Sequence, residues 1–414
     1  MRSILFVSIA FPPKFDSEAL QVSRYFKYLK KECSGRLEID VVTSALPTLF
    51  MPVDDSLKPV DSGYRQKINI RIYENKYVNY ILRKISPSLI DRPDSKNSFF
   101  RQWKKVVHEL NHAPSVIYSR SSPTSSAIMG MKLKEHYKVP WIMHLSDPWT
   151  DSPVINFSGR VKKINEGFEK ECFEKADKIC LTSHQTISFY KKKYPAYGDK
   201  FEYFPNVYDA EDILPVINSP QNKKLRIVYT GGIAGNRSPE PFLKAILSLP
   251  QSIKNELEVV FSGIADRQNI ALFEKYKDPC IRYIGSLATY KEAIALQQSA
   301  DVLLLIDFPI KEKEHRMYFL SKLLDYMIAR KYVLAVTGEG SVCWDVINHK
   351  MGRCFEEQDI AGLADHLALL AGKFKTDKTF FLVNKIDAEF DAAYNAKRLF
   401  NLVDSMSTAE TYAS

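Results

Sequence analysis

"LRIVYTGGIAGNRSPEPFLKAI" (225–246) is the stretch on which the fold turns. It opens with a short apolar, β-branched run, breaks at Gly231 and Gly232, and passes through "NRSPEP" into an amphipathic segment. Ser238 stands where a helix cap belongs and Pro239 at the first helical position. Strand, tight turn and capped helix make the first half of a βαβ unit. Further apolar runs follow at 257–263, 281–286, 300–307, 332–338 and 352–357, with helical periods between them. Upstream lies an equivalent series at 3–10, 37–44, 68–74, 115–119, 140–145 and 178–183, with a strand running into a loop at 201–209. Helical periods fall at 19–32 and 125–137. Short apolar runs alternating with amphipathic stretches predict parallel sheets covered on both faces. The pattern therefore predicts α/β architecture with two doubly wound, Rossmann-like domains in tandem. The boundaries read 1–208 and 209–390, with the polar stretch 210–224 as linker. A final amphipathic segment, 391–406, has no strand after it and is expected to pack back on the first domain; 407–414 reads as a loose tail.

The 414 residues, 45% of them apolar, suffice for two real cores. No apolar run reaches the ~20 residues of a membrane span. The N-terminal run ends at Pro12-Pro13 without a small-residue cleavage site, so it reads as a buried strand rather than a signal peptide. Six scattered cysteines show no metal-ligand spacing, which fits reduced thiols in a cytoplasmic protein. The net charge of +9 is uneven: residues 1–200 hold 33 Lys and Arg against 21 Asp and Glu. A basic first domain suits an anionic partner. No nucleic-acid-binding module is recognisable, so nucleic acid is set aside.

In open parallel sheets ligands bind beyond the carboxyl ends of the strands, and five such loops carry chemistry. "AFPPKFDSEA" (10–19) brings Ser17 and Glu18 to a helix start. "SRSSPTSSA" (119–127), with Ser122, offers hydroxyls and helix N–H groups to an anion or sugar, or simply caps its helix. "HLSDPWTD" (144–151) presents Asp147 as base or hydrogen-bond acceptor and Trp149 as a face for a pyranose; a turn whose indole packs on the core is the alternative. In the stretch quoted first, Gly231 and Gly232 let the backbone approach a ligand, and Arg237 beside a helix N-terminus suits a phosphate. Neither Gly-x-Gly-x-x-Gly nor Gly-Lys-Ser/Thr occurs there. Finally Ser321 and Lys322 open a helix, with Asp325 one turn on, where a ribose diol would meet it.

The ordered series "ILFVSIAFPP", "VPWIMHLSDPW", "FEKADKICLTS", "FPNVYD", "IVYTGGIAGNRSPEPFLKAI", "IRYIGS" with "SADVLLLI", and "LSKLLDYMIARKYVLAV" resembles the GT-B glycosyltransferases of the retaining family 4 type, as found in bacterial surface-polysaccharide synthesis. The resemblance spans almost the whole chain. It implies two Rossmann-like domains facing across a cleft, an acceptor domain first and a nucleotide-sugar donor domain second. It also implies that Arg237 and Lys322 neutralise the donor diphosphate, so that no metal or other cofactor is required. Asp325 takes the ribose position, usually Glu, and Gly231 and Gly232 match the glycine-rich turn. With Asp147, Arg237 and Lys322 form the implied catalytic set; Gly231, Gly232, Ser321 and Asp325 complete the donor side. Ser17, Glu18, Ser122, His144 and Trp149 are the acceptor-side candidates.

Three positions depart from the pattern. "KFDSEA" follows Pro13 where the family carries glycines, Met317 stands eight residues before Asp325 where many members have Glu, and His144 replaces an acid. The implied reaction is transfer of a sugar, with retention, from a nucleotide-diphosphate sugar to a lipid-linked or surface-polysaccharide acceptor at the inner face of the membrane. A nucleotide-sugar 2-epimerase of the same fold and a sugar-binding or carrier-binding protein without catalysis are the alternatives. The basic, aromatic stretch 81–107 is the candidate membrane contact.

Overall fold

A computed structural model describes residues 2–47, 51–152, 155, 157, 159–213, 222–287, 289–384 and 386–409. The core of the linker expected at 210–224 and the end of the tail at 407–414 fall outside them. The chain divides into two compact units: Met1–Asp209 with Ala388–Ser414, and Ala210–Asp387.

The first unit holds seven parallel strands: β1 (Ser3–Val7), β2 (Glu38–Ser44), β3 (Gln66–Ile70), β4 (Val116–Ser121), β5 (Trp141–Leu145), β6 (Lys178–Leu181) and β7 (Phe201–Tyr203). Their order is β3-β2-β1-β4-β5-β6-β7. The second unit holds β8 (Leu225–Thr230), β9 (Leu257–Ser262), β10 (Ile281–Tyr283), β11 (Val302–Ile306), β12 (Tyr332–Val336) and β13 (Gly352–Phe355), in the order β10-β9-β8-β11-β12-β13. Both sheets are parallel throughout. Every strand expected from an apolar run is present. The reason is burial on both faces: β1 "SILFV" and β11 "VLLLI" are buried at every position, so neither needs alternation. In each sheet the winding reverses beside the first strand, between β1 and β4 and between β8 and β11. That reversal opens the crevice in which doubly wound sheets take ligands.

Each unit has its own core. Phe6, Phe11, Phe26 and Tyr118 form an aromatic cluster in the first, with ring centroids 4.7–5.9 Å apart. Tyr229, Phe242, Phe261 and Phe273 do the same in the second. The C-terminal helix, Ala392–Ala409, buries Ala392, Ala396, Leu399, Phe400 and Val403 in the core of the first unit. Its start is fixed by Tyr208 and Ala392: the Tyr208 N–H donates to Phe390 O and the Ala392 N–H to Tyr208 O, both at 2.9 Å. Arg2 then ion-pairs with Asp404 at 2.9 Å.

Removing apolar volume from that helix leaves a cavity that the sheet above it cannot close. Leu399→Ala is expected to destabilise the first unit by about 2–5 kcal/mol and to leave the core of the second unit intact. Hydrogen exchange read by mass spectrometry checks this: faster exchange should be confined to residues 2–209 and 388–409.

Candidate functional site

In the second unit the cation pair expected from the sequence comes together over one turn. Gly231, at φ +112°, follows β8, and a Cβ on it would lie 2.9 Å from Lys322 Nζ. The glycine is therefore what allows the ammonium to reach the backbone. Gly263, at φ +139°, supports the same turn, since a Cβ there would lie 2.0 Å from Gly231 O. Gly232 O accepts from the Tyr229 hydroxyl at 2.9 Å and from Arg237 Nη1 at 3.2 Å.

Both cations stand on aromatic faces. Lys322 Nζ lies 3.7 Å from the Tyr229 ring centroid, and the Arg237 guanidinium 4.2 Å from that of Phe308. Lys322 Nζ and Arg237 Nε are buried and, among the described residues, donate to no acceptor. Burial first, and then the Arg237 charge, hold the Lys322 pKa well below its usual value. Lys322 Nζ and Arg237 Nε thus carry unspent N–H donors that an anion could receive. The helix Lys322–Ala329 starts at this point and its dipole adds to the positive field.

Asp325 lies on the first turn of that helix, where one of its carboxylate oxygens accepts from the Tyr290 hydroxyl at 2.8 Å. Ser321 precedes the helix with αR backbone and makes no side-chain capping bond. Met317, in the position expected to be acidic, is fully buried. A cavity of about 270 Å³ opens beyond β11, β12 and β13, lined by Asn236, Asp307, Phe308, Arg316, Thr337 and Glu356 among others. Phe308 links it to the cation pair by carrying Arg237 on its ring.

The first unit gathers a different set. The Glu18 carboxylate accepts from Arg120 Nε at 3.0 Å and from Ser146 Oγ at 2.8 Å, joining the helix Ser17–Cys33 to the end of β4 and the loop after β5. Arg120 is wholly buried and also donates to Asn206 Oδ1 at 3.0 Å. Asp147 sits beside them. Burial first, and then the Glu18 charge, push its pKa up to about 7, against the opposing pull of Arg120. With Ser122 and Trp149 it lines a cavity of about 220 Å³.

Three acceptor-side expectations need correction. Trp149 offers no free face for a sugar ring: it is 2% exposed, its indole N–H donates to Asn165 Oδ1 and its backbone N–H to the Tyr190 hydroxyl, both at 2.9 Å. His144 is the fourth residue of β5 and lies in the core, its Nδ1 sharing a 2.8 Å hydrogen bond with the Tyr118 hydroxyl. Burial and then Arg120 hold its pKa well down, so it stays neutral. The helix Ser125–Tyr137 has no open N-terminus, because the Asp94 carboxylate accepts from Ser125 N–H, Ser125 Oγ and Thr124 Oγ1 at 2.8–3.0 Å. Ser17, another acceptor-side candidate, is the exposed first residue of the helix Ser17–Cys33, which Asp16 caps by accepting from Ala19 N–H at 2.7 Å.

Arg120 and Asp94 escaped the sequence reading. A charged residue at the end of the buried run "SVIYSRS" was the available signal for Arg120. For Asp94 there was none, since its partner helix begins 31 residues later.

No family model matches the chain, and no curated protein sequence does. Solved structures do match over nearly its full length. A sucrose-phosphate synthase from Thermosynechococcus elongatus superposes with a TM-score of 0.67 at 16% identity, covering 99% of this chain and 100% of the other. A lipopolysaccharide outer core galactosyltransferase superposes at 0.59 and 13%, covering 97% and 99%. A putative UDP-N-acetylglucosamine 2-epimerase from Listeria monocytogenes superposes at 0.57 and 12%, covering 97% and 96%. The fold is thus that of the GT-B proteins: two parallel-sheet α/β domains of seven and six strands.

An acid whose native pKa lies above its unfolded value binds more protons folded than unfolded, so stability falls as pH rises between the two values. For Asp147 that window runs from the ordinary 3.8 to about 7. Asp147→Asn is therefore expected to match the wild type at pH 4 and to melt progressively higher than it as pH approaches 8. Thermal melts across that range check this; a difference that does not vary with pH would show that Asp147 carries no such shift.

Proposed function

We propose that this protein is a glycosyltransferase that takes its sugar from a nucleotide-diphosphate sugar and retains the anomeric configuration. The observation that carries the reading is the pair of buried, unspent N–H donors on Arg237 and Lys322 above the Gly231–Gly232 turn. A donor diphosphate supplies the acceptors those groups lack. It also supplies the negative charge that restores the Lys322 ammonium. Asp325, on the helix that Lys322 opens, takes the ribose hydroxyls, with Ser321 and the two glycines completing the donor side.

In the proposed reaction the acceptor oxygen bonds to the anomeric carbon as the bond from that carbon to the phosphate oxygen breaks. The acceptor's proton passes to the departing phosphate. Negative charge grows on the diphosphate, where Arg237 and Lys322 are already fixed and need not reorganise. The pair performs the charge neutralisation that a divalent cation performs in other transferases. Asp147, with its proton held near neutrality, serves the acceptor side, where Ser122 lines the same cavity. The acceptor we assign is lipid-linked or a surface-polysaccharide intermediate, met at the cytoplasmic face of a membrane. No described helix is long and apolar enough to cross a membrane, which is compatible with a peripheral position.

A nucleotide-sugar epimerase is the second reading, and the epimerase among the matching structures supports it at the level of fold. Incubation with a panel of uridine- and guanosine-diphosphate sugars separates the two. Transferase action gives slow donor hydrolysis without acceptor, and an epimerase returns an isomerised donor. Arg237→Ala and Lys322→Ala are each expected to lower turnover about 10²–10³-fold while the melting temperature holds. Near-normal turnover in both variants would sink the diphosphate assignment. Because the diphosphate raises a depressed lysine pKa, binding should also take up a proton. Calorimetry in buffers of different ionisation enthalpy should detect that uptake in the wild type and lose it in Lys322→Met.

A further inference from the structure

The ten-residue helix Lys76–Ile85 has no buried residue. Its sequence, "KYVNYILRKI", is nevertheless strongly two-faced. At 100° per residue Tyr77, Val78, Ile81, Leu82 and Ile85 share one side, and Lys76, Asn79, Tyr80, Arg83 and Lys84 the other. In a globular protein such an apolar side packs on a core. Here it faces outward: Tyr77 is 78% exposed, Ile81 55% and Ile85 71%. Tyr73 and Leu89, at either end, extend the exposed apolar surface. The stretch expected to meet a membrane, 81–107, turns inward in its second half, where Phe99 and Val106 are fully buried. The exposed apolar surface therefore takes in only the first part of that stretch and extends upstream of it to Tyr73.

The charge around the helix selects the occupant. Residues 71–105 hold nine Lys and Arg against three Asp and Glu. Each of the three acids is already engaged: Glu74 by Lys96, Asp91 by Arg83, and Asp94 by the N-terminus of the helix Ser125–Tyr137. Lys76, Lys84, Arg71, Arg101, Lys104 and Lys105 are exposed. A helix with an outward apolar side and basic flanks matches a bilayer interface, where the apolar side enters the acyl boundary and the cations meet anionic headgroups. We infer that the helix Lys76–Ile85 is a membrane-docking element that lies in the plane of an anionic lipid surface, with Tyr77, Ile81 and Ile85 inserted. This deepens the proposed action on a lipid-linked acceptor and rests on it for its biological setting, but the binding itself is testable without any acceptor.

The test is co-sedimentation of the full chain with vesicles of phosphatidylcholine alone or containing phosphatidylglycerol, at low and high salt. The wild type should bind the anionic vesicles, bind neutral ones far less, and weaken as salt rises. The double variant Ile81→Ser/Ile85→Ser should lower the partition coefficient about tenfold or more, and Lys76→Glu/Lys84→Glu should abolish the preference for anionic lipid. A Tyr77→Trp variant should shift its emission to the blue on anionic vesicles. Wild-type-like binding by both double variants, or no binding by the wild type, would overturn the inference. So would a loss of self-association in the variants without vesicles, which would make the face an interface between copies of the chain. Donor hydrolysis measured in lipid-free solution keeps the two readings apart. Intact hydrolysis without vesicle binding removes only the docking surface; vesicle binding without hydrolysis removes only the transferase.

Discussion

A lysine Nζ held out of water, with no hydrogen-bond acceptor among the described residues, is the constraint around which the second unit is arranged. Such a group is costly, and three features exist to tolerate it. Gly231 removes the side chain that would collide with it, Gly263 clears the backbone oxygen of Gly231, and the Tyr229 ring offers its negative face. Arg237 worsens the electrostatics rather than relieving them. A fold would not gather two cations in this way for its own stability. An anion with several oxygens would relieve the arrangement, which is the ground for the proposed diphosphate site.

The first unit solves the opposite problem. Glu18 is compensated there by Arg120 and Ser146, and the helix N-terminus at Ser125 by Asp94. Beside them lies the carboxyl of Asp147, which feels the charges of Glu18 and Arg120. Unspent donors thus mark the second unit, and a carboxyl held near neutrality marks the first.

How much of this the sequence could reveal follows from what each feature depends on. The strands were legible because parallel strands buried on both faces leave unbroken apolar runs, as in "VLLLI". Gly231, Gly232, Arg237 and Lys322 were legible because each sits just past a strand or at a helix start, positions that local pattern fixes. Trp149 and His144 were not. A strand buried on both sides gives no alternation to say which way a ring points, so a residue at a strand end reads equally as wall or core. The Glu18–Arg120 pair spans 102 residues and the Asp94 cap 31, and no local signal encodes such separations. The exposed helix Lys76–Ile85 was only partly legible for a related reason. Its composition resembles that of the segment after it, and only packing distinguishes Phe99, turned inward, from Ile85, turned outward.

The return of the chain to its first unit also sets an order of events during synthesis. Ala392, Ala396, Leu399, Phe400 and Val403 complete a core whose other fully buried members are made before residue 210. The ribosome must produce the whole second unit before those side chains exist. The second unit can close its core while the first still exposes the helix Ser17–Cys33 to whatever shields nascent chains. A stall or truncation after residue 387 would then leave a finished second unit attached to an unfinished partner. The piece first translated is the last to become stable.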